Sequence, residues 1–117
     1  MYKRGDKEFI LDIYLACKRI MEYLEGVTFE RFLETPEKQD AVIRNIEIIG
    51  EAVKKLSEEF RDAHPDIEWS EIARTRDKFI HFYFGIDLDV VWDIATVDIP
   101  RLIEKICEEK GWHTTSL

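Results

Sequence analysis

Hydrophobic residues recur every three or four positions along most of the chain, which is the period of an amphipathic α-helix. The first helix is predicted over residues 6–25, with Asp6 capping its start and Gly26 ending it. Its apolar stripe consists of Phe9, Ile13, Cys17 or Ile20, and Leu24. No long stretch alternates apolar and polar residues as a half-buried strand would. The chain is therefore predicted to be all-α.

A second long helix is marked by Thr35-Pro36, because proline is favoured at the first position of a helix. A short apolar segment over residues 28–34 precedes it, and the helix is expected to run to about Phe60. Its apolar positions are Val42, Ile46, Ile49, Val53, Leu56 and Phe60. Gly50 lies mid-helix, where glycine costs about 1 kcal/mol relative to alanine. That cost indicates a close contact with another helix at Gly50.

Three charged residues on this helix, Arg44, Glu47 and Glu51, are spaced three and four residues apart. Side chains at these spacings are neighbours on a helix surface. The pattern is typical of a solvated ladder of ion pairs, and the alternative is that Arg44 lines a cleft.

The helical pattern is interrupted at His64-Pro65, since the residue before a proline avoids the α region. A loop is therefore predicted over residues 62–69. Ser70 is the predicted N-cap of the next helix, which should end near Gly85.

A last helix is predicted to begin at the cap residue Asp87 and to end at Gly111. Pro100 falls inside its pattern, so the helix either kinks there or stops near Asp98 and restarts. Together the elements predict an up-down bundle of about five helices, forming one domain over residues 1–117.

Composition and charge limit the location and the binding partners that are expected for this protein. No apolar run approaches the roughly 20 residues of a membrane span, and the start is unlike a signal peptide, so a cytoplasmic protein with no membrane partner is expected. Cys17 and Cys107 are expected to be two buried, reduced thiols. The net charge is −8, with no basic tail. Binding to DNA is not expected, and any contact with RNA must use a local positive area.

Polar residues of catalytic type are crowded into an apolar, aromatic segment, residues 76–83. Within eight positions this segment carries Arg76, Asp77, His81 and Tyr83. A core helix does not need such polar residues, and a surface helix does not need the aromatic ones. Because local rules tend to break at functional positions, the segment is the candidate site.

Helical geometry relates the four polar residues. At 100° per residue, Arg76 and Tyr83 share one face, and Asp77 and His81 share the next one. Asp77 could accept a hydrogen bond from the His81 ring and so fix its orientation. Arg76 and His81 lie about 140° apart around the helix. The reach of an arginine side chain, a distorted helix end or a second copy of the segment from a dimer partner could bring an arginine and a histidine to one point. The dimer partner is the preferred interpretation.

These residue types suit phosphoryl transfer at RNA. A neutral histidine can take the proton of a 2′-hydroxyl, and a protonated one can give a proton to the leaving oxygen. An arginine fork can stabilise the charge on the phosphate. No cofactor or metal is needed, and no cysteine or histidine cluster has zinc spacing. On the residues alone, a lone histidine in an apolar helix, such as His81, is more often a packed side chain than a catalyst. Arg76 alone could be an ion-pair partner between subunits.

The spacing Arg76, four residues, His81, one residue, Tyr83 resembles the R-x4-H-x-Y motif of the HepT family. The resemblance extends to the flanking pieces, residues 72–77, 81–87 and 91–92, and to Arg44-Asn45-Ile46-Glu47-Ile48-Ile49-Gly50-Glu51-Ala52. HepT proteins are toxins of HepT–MntA toxin–antitoxin pairs and belong to the HEPN ribonuclease superfamily.

The resemblance implies a HEPN-like helical bundle that dimerises and cleaves RNA without a metal. It implies that Arg76 and His81 are catalytic, with Asp77 in the polar position after the arginine. It also implies an MntA-like nucleotidyltransferase antitoxin that transfers AMP from ATP to Tyr83. The alternatives are a nucleotide-binding or substrate-binding subunit of such a nucleotidyltransferase, and a helical dimer without chemistry.

Overall fold

A computed structural model describes residues 5–81 and 87–108, with the exception of the side chains of residues 78–81 and 108. The helices are α1 (Asp6–Leu24), α2 (Phe29–Leu33), α3 (Pro36–Lys55), α4 (Glu58–Ala63), α5 (Trp69–His81), α6 (Leu88–Asp93) and α7 (Ile99–Glu108). A π-helical segment, Ile94–Asp98, joins α6 to α7. Within the described ranges no strand is present, which confirms the all-α prediction.

Helix α3 is the central element of the bundle, because it packs against both α1 and α5. Helix α1 also contacts α7. The apolar stripes predicted for α1 and α3 lie in the shared core, which is the arrangement expected when amphipathic helices bury one face each. The buried members of those stripes are Ile13, Cys17, Ile20, Val42, Ile46, Ile49, Val53 and Leu56. Phe9, Leu24 and Phe60 are partly buried at its edge.

The long helix predicted to reach Phe60 ends instead at Lys55. Ser57 interrupts it by acting as the N-cap of α4, where its Oγ accepts a hydrogen bond from the Phe60 amide at 3.0 Å. Asp6 holds Ser57 in place, since its two carboxylate oxygens accept from the Ser57 amide at 2.8 Å and from its hydroxyl at 2.7 Å. Asp6 was predicted to cap α1, but Gly5 occupies that position.

The predicted cap at Ser70 is also wrong, because α5 already begins at Trp69. The Trp69 ring is buried, and its Nε1 donates a hydrogen bond to the His64 carbonyl oxygen at 3.1 Å. This bond closes the loop before α5 and fixes where the helix starts. The predicted end of this helix near Gly85 falls outside the described residues.

The last helical region continues through Pro100 without interruption. The Ile99 amide donates to the carbonyl of Ile94, five residues earlier, so the helix widens to a π turn immediately before the proline. Proline lacks an amide hydrogen and its ring crowds the preceding turn. A π segment is one way in which a helix accommodates such a local disturbance. Asp87 caps α6 as predicted, its carboxylate accepting from the Asp89 amide at 2.9 Å.

The two cysteines are free thiols, as predicted, although Cys107 is only partly buried. Burial raises the pKa of Cys17 to about 12, with a smaller contribution from the nearby Cys107. In the described part of the chain, no helix combines the length and the apolar character needed to cross a membrane. The predicted helix end at Gly111 lies outside the described residues.

Candidate active site

Gly50 and Arg76 form the closest approach between α3 and α5. A Cβ added at Gly50 would overlap the Cβ of Arg76 and would lie 2.8 Å from its Cγ. The same atom would lie 3.4 Å from the carbonyl oxygen of Ile72, one turn earlier on α5. The predicted close contact at Gly50 is therefore confirmed, and its partner is the stem of the predicted catalytic arginine.

Two cationic side chains contact the same carboxylate oxygen of Asp77. Lys54 Nζ, from the last turn of α3, donates a hydrogen bond to Asp77 Oδ1. Arg76 Nη1 lies 3.5 Å from the same oxygen. The hydrogen bond from Lys54 is the main reason that the pKa of Asp77 lies below its usual range, and Arg76 contributes in the same direction. Asp77 is therefore a carboxylate at neutral pH.

The stem of Arg76 packs against α3, and its guanidinium group is partly exposed to solvent. Its side chain is 26% exposed, whereas those of Lys54 and Asp77 are 42% and 40% exposed. Arg76 Nε is buried, and no described residue accepts a hydrogen bond from it. The stem is thus fixed by α3, while the exposed part of the guanidinium can interact with other groups.

The remaining predicted site residues are described only in part. His81 is the last residue of α5, but its side chain lies outside the described residues, and Tyr83 lies outside them entirely. The hydrogen bond from His81 to Asp77 therefore stays a prediction. Among the described side chains, both cations that contact Asp77 do so at Oδ1, and none contacts Oδ2.

The charged ladder predicted on α3 takes a different form. Arg44 is exposed, and no described residue forms an ion pair with it. Glu51 pairs instead with Lys55, at 3.5 Å. The site residue that the sequence reasoning missed is Lys54. The sequence separation of Lys54 and Asp77 does not predict that they meet, because their contact depends on how α3 and α5 cross.

A separate groove of about 180 Å³ lies between α3, α5, the π segment and α7. Its floor is apolar, and its rim carries Glu68, Glu71 and Asp98 opposite Arg101 and Lys105. A hydrogen bond with the Glu68 carboxyl, reinforced by its charge, raises the pKa of Glu71. Neither of the two described site residues on α5 lines this groove, so the candidate site is an open surface beside it.

No cluster of potential metal ligands occurs among the described residues. The groups that the described structure brings together are two cations and one carboxylate, between the last turn of α3 and the second half of α5. Such a set can bind an anion and stabilise negative charge as it develops.

The HepT-like ribonuclease family matches residues 13–109 of the chain. The chain belongs to this family. The helical bundle agrees with the HEPN-like fold that the resemblance implied. Arg76 and His81 both fall inside the matched region.

Individual relatives cover most of the chain. A Thermococcus cleftensis protein named probable ribonuclease HepT is 47% identical over 86% of this chain and 91% of its own length. A Methanocaldococcus jannaschii protein whose name gives RNase as its expected activity is 43% identical, over 92% of this chain and 89% of its own length. A protein of Caldanaerobacter subterraneus, named in the same way, is 39% identical over 87% of this chain and 91% of its own length. No solved structure is significantly similar to the chain.

Replacing Gly50 with alanine should destabilise the protein. In an exposed helix this change gains about 1 kcal/mol, but here the new methyl group meets the Arg76 stem, and such overpacking typically costs about 1–3 kcal/mol. Urea unfolding of Gly50→Ala measures the balance, with the neighbouring exposed Glu51→Ala as the control. A more stable Gly50→Ala protein would contradict the close packing of α3 on α5.

The carboxyl group of Asp77 should titrate below the usual aspartate range, and Lys54→Met should move it back up. Because the folded-state pKa is lowered, the ion pairs stabilise the fold above the unfolded pKa of about 3.9. Their contribution disappears as the pH falls through the lowered pKa. Carbon-13 NMR of the Asp77 carboxyl measures the shift, and Lys55→Met should leave it unchanged. An Asp77 that titrates normally in the unaltered protein would refute the ion pair.

Proposed function

We propose that this chain is a metal-independent endoribonuclease in which Arg76 and His81 are the catalytic residues. The observation that carries the proposal is the placement of Arg76, whose stem is fixed on Gly50 and whose guanidinium lies beside Lys54 and Asp77. In a chain of the HepT-like ribonuclease family, that placement puts a rigidly mounted arginine on an open, cationic surface. An RNA phosphate is the substrate group that such a surface suits.

The proposed chemistry is the transfer of a phosphoryl group within the RNA. One His81 imidazole removes the proton of a 2′-hydroxyl, and the 2′-oxygen forms a bond to phosphorus. The bond from phosphorus to the 5′-oxygen breaks, and a protonated His81 supplies the proton to that oxygen. The products are a 2′,3′-cyclic phosphate and a 5′-hydroxyl. Arg76 stabilises the negative charge on the phosphate oxygens.

The active form is proposed to be a homodimer. Arg76 and His81 are five residues apart on one helix, so their directions differ by about 140°. Two copies of α5 meeting at a twofold axis would supply an arginine and a histidine to one cleft from different subunits. Support comes from two exposed valines on the elements that follow the motif, Val90 and Val97, which are 47% and 49% exposed. Apolar side chains at such positions are suited to an interface between subunits.

The biological role is proposed to be that of a toxin, controlled by a nucleotidyltransferase antitoxin. The antitoxin would attach AMP to the Tyr83 hydroxyl, breaking the bond between the α- and β-phosphates of ATP and releasing pyrophosphate. Tyr83 lies seven residues after Arg76, on the same side of an ideal helix. A phosphate there would place negative charge next to the arginine and block RNA access.

A second candidate, a nucleotide-binding subunit without nuclease activity, is favoured by one observation. The net charge of −8 opposes binding of a polyanion, because most nucleic-acid affinity comes from neutralised phosphates. A small nucleotide needs only one or two cations, which Lys54 and Arg76 could provide. This candidate predicts binding of ATP or AMP by the isolated chain and no loss of intact RNA.

Substitution of the proposed catalytic residues is the direct test. Arg76→Ala and His81→Ala should each lower RNA cleavage by about 10²–10⁴-fold, the range typical of a general acid-base group or of a transition-state charge contact. Cleavage by the unaltered protein should persist in EDTA and should leave cyclic phosphate ends. Gel assays of a labelled RNA, together with mass spectrometry of the product ends, provide both measurements.

Arg74→Ala is the matched control for Arg76→Ala, because Arg74 lies on the same helix and its side chain is 69% exposed. It should keep nearly full activity. Circular dichroism and gel filtration check that every variant remains folded and in the same oligomeric state. Undiminished cleavage by His81→Ala would exclude the proposed mechanism.

Modification of Tyr83 is tested by co-expressing this chain with the nucleotidyltransferase proposed as its antitoxin. Mass spectrometry of the digested protein should find one or more AMP units on the Tyr83 peptide, together with loss of RNA cleavage. Tyr23, which is 36% exposed on α1, is the control and should stay unmodified. An unmodified Tyr83 in a protein whose toxicity is nevertheless neutralised would rule out this form of control.

A further inference from the structure

Lys54 and Arg76 reach one oxygen atom from two different helices. Lys54 donates to Asp77 Oδ1 from the end of α3, and Arg76 Nη1 lies 3.5 Å from that atom. The two cations repel each other, so an anion between them favours their close approach. In the described structure the Asp77 carboxylate is that anion. A non-bridging phosphate oxygen has the same charge and accepts the same kind of hydrogen bond.

The three groups are accessible to an incoming anion, since each side chain is between 26% and 42% exposed. Ion pairs exposed to this extent contribute little to stability. The contacts of Asp77 with Lys54 and Arg76 are therefore weak enough to exchange for contacts with a ligand.

We propose that Lys54 and Arg76 form a two-cation subsite for an RNA phosphate, and that Asp77 occupies this subsite in the free protein. The proposal rests on the ribonuclease function proposed above. When RNA binds, a phosphate oxygen replaces Asp77 Oδ1 between the two cations. The released carboxylate is then available to the ring of His81, one turn further along α5. Lys54 is thereby a substrate-binding residue, and Asp77 a positioning residue that also competes with the substrate.

This arrangement explains how an acidic chain could bind RNA at one place only. An open pair of cations would attract any polyanion, whereas a pair covered by its own carboxylate favours a ligand that supplies more than one contact. The carboxylate thus lowers affinity for isolated anions and keeps the positive charge at the site. The cost is that RNA must displace Asp77 before it can be cleaved.

The neighbouring residue Lys55 makes a matched control possible. Lys54 and Lys55 are both exposed, at 42% and 54%, and their removal changes the net charge by the same amount. Lys55 differs in that it pairs with Glu51 along its own helix and does not touch the site. A difference between Lys54→Met and Lys55→Met therefore reports on the site and not on total charge.

Binding is measured by fluorescence anisotropy with a 2′-O-methyl RNA oligonucleotide, which cannot be cleaved because its 2′-oxygen is blocked. Lys54→Met should weaken binding by about threefold to tenfold. It should also reduce the slope of log affinity against log salt by about 0.7, the value for one phosphate contact on a single strand. Lys55→Met should leave that slope unchanged, and Lys54→Arg should restore most of the affinity. Equal effects of Lys54→Met and Lys55→Met would overturn the subsite.

The variant Asp77→Asn tests whether Asp77 competes with RNA for the two cations or only supports the structure of the site. Loss of the competing carboxylate should tighten binding of the 2′-O-methyl RNA by about threefold or more. Cleavage of ordinary RNA should fall at the same time, because His81 loses the carboxylate that positions it. A merely structural role would not produce this opposite change of binding and turnover. If Asp77→Asn binds the RNA no more tightly than the unaltered protein does, the competitive role of Asp77 is excluded.

Pyrophosphate, measured by calorimetry, tests the anion subsite independently of the nuclease. Weaker pyrophosphate binding by Lys54→Met than by Lys55→Met would support the two-cation subsite even in a protein that neither binds nor cleaves RNA. That combination would overturn the ribonuclease proposal alone. If neither anion distinguishes Lys54→Met from Lys55→Met while the unaltered protein cleaves RNA, the subsite fails and the ribonuclease function stands.

Discussion

The contact between Gly50 and the stem of Arg76 controls the geometry of the candidate site. Because Gly50 has no Cβ, α3 and α5 approach closely enough for the Arg76 stem to occupy the space that a side chain would fill. Backbone packing is stiffer than a contact between two long side chains, so the arginine is mounted firmly although its guanidinium stays partly exposed. The glycine weakens the helix locally, and the central position of α3 between α1 and α5 offsets that weakness.

The close crossing of α3 and α5 also determines which charged side chains meet at the site. The approach of α3 to α5 brings Lys54 to Asp77, and Asp77 already adjoins Arg76 in the chain. Positive charge is therefore concentrated locally in a chain whose net charge is −8. The ion pairs lower the pKa of Asp77, so its carboxylate stays charged to a lower pH than usual. Under the proposed function, that carboxylate is placed to exchange between cation partners and the motif histidine.

Helix boundaries differed from prediction wherever a tertiary contact outweighed the local pattern. The apolar stripe of α3 continues to Phe60, but the bonds from Asp6 to Ser57 hold the chain in a new N-cap. In the same way, the buried ring of Trp69 and its bond to the His64 carbonyl start α5 one residue before the expected cap. At Pro100 the sequence pattern allowed either a kink or an end and a restart of the helix. The structure instead has a π turn just before the proline, and the helix continues through it.

The sequence by itself determined the fold class, the faces of the long helices and the family, because period and motif spacing are properties of neighbouring positions. It also indicated that Gly50 meets another helix, since a mid-helix glycine has a cost that packing must repay. Only the tertiary structure decided that Arg76 is the partner of Gly50 and that Lys54 joins the site. Residues 54 and 77 are 23 positions apart, and no periodicity encodes the crossing of two helices. Their meeting results from how α1, α3 and α5 share one core.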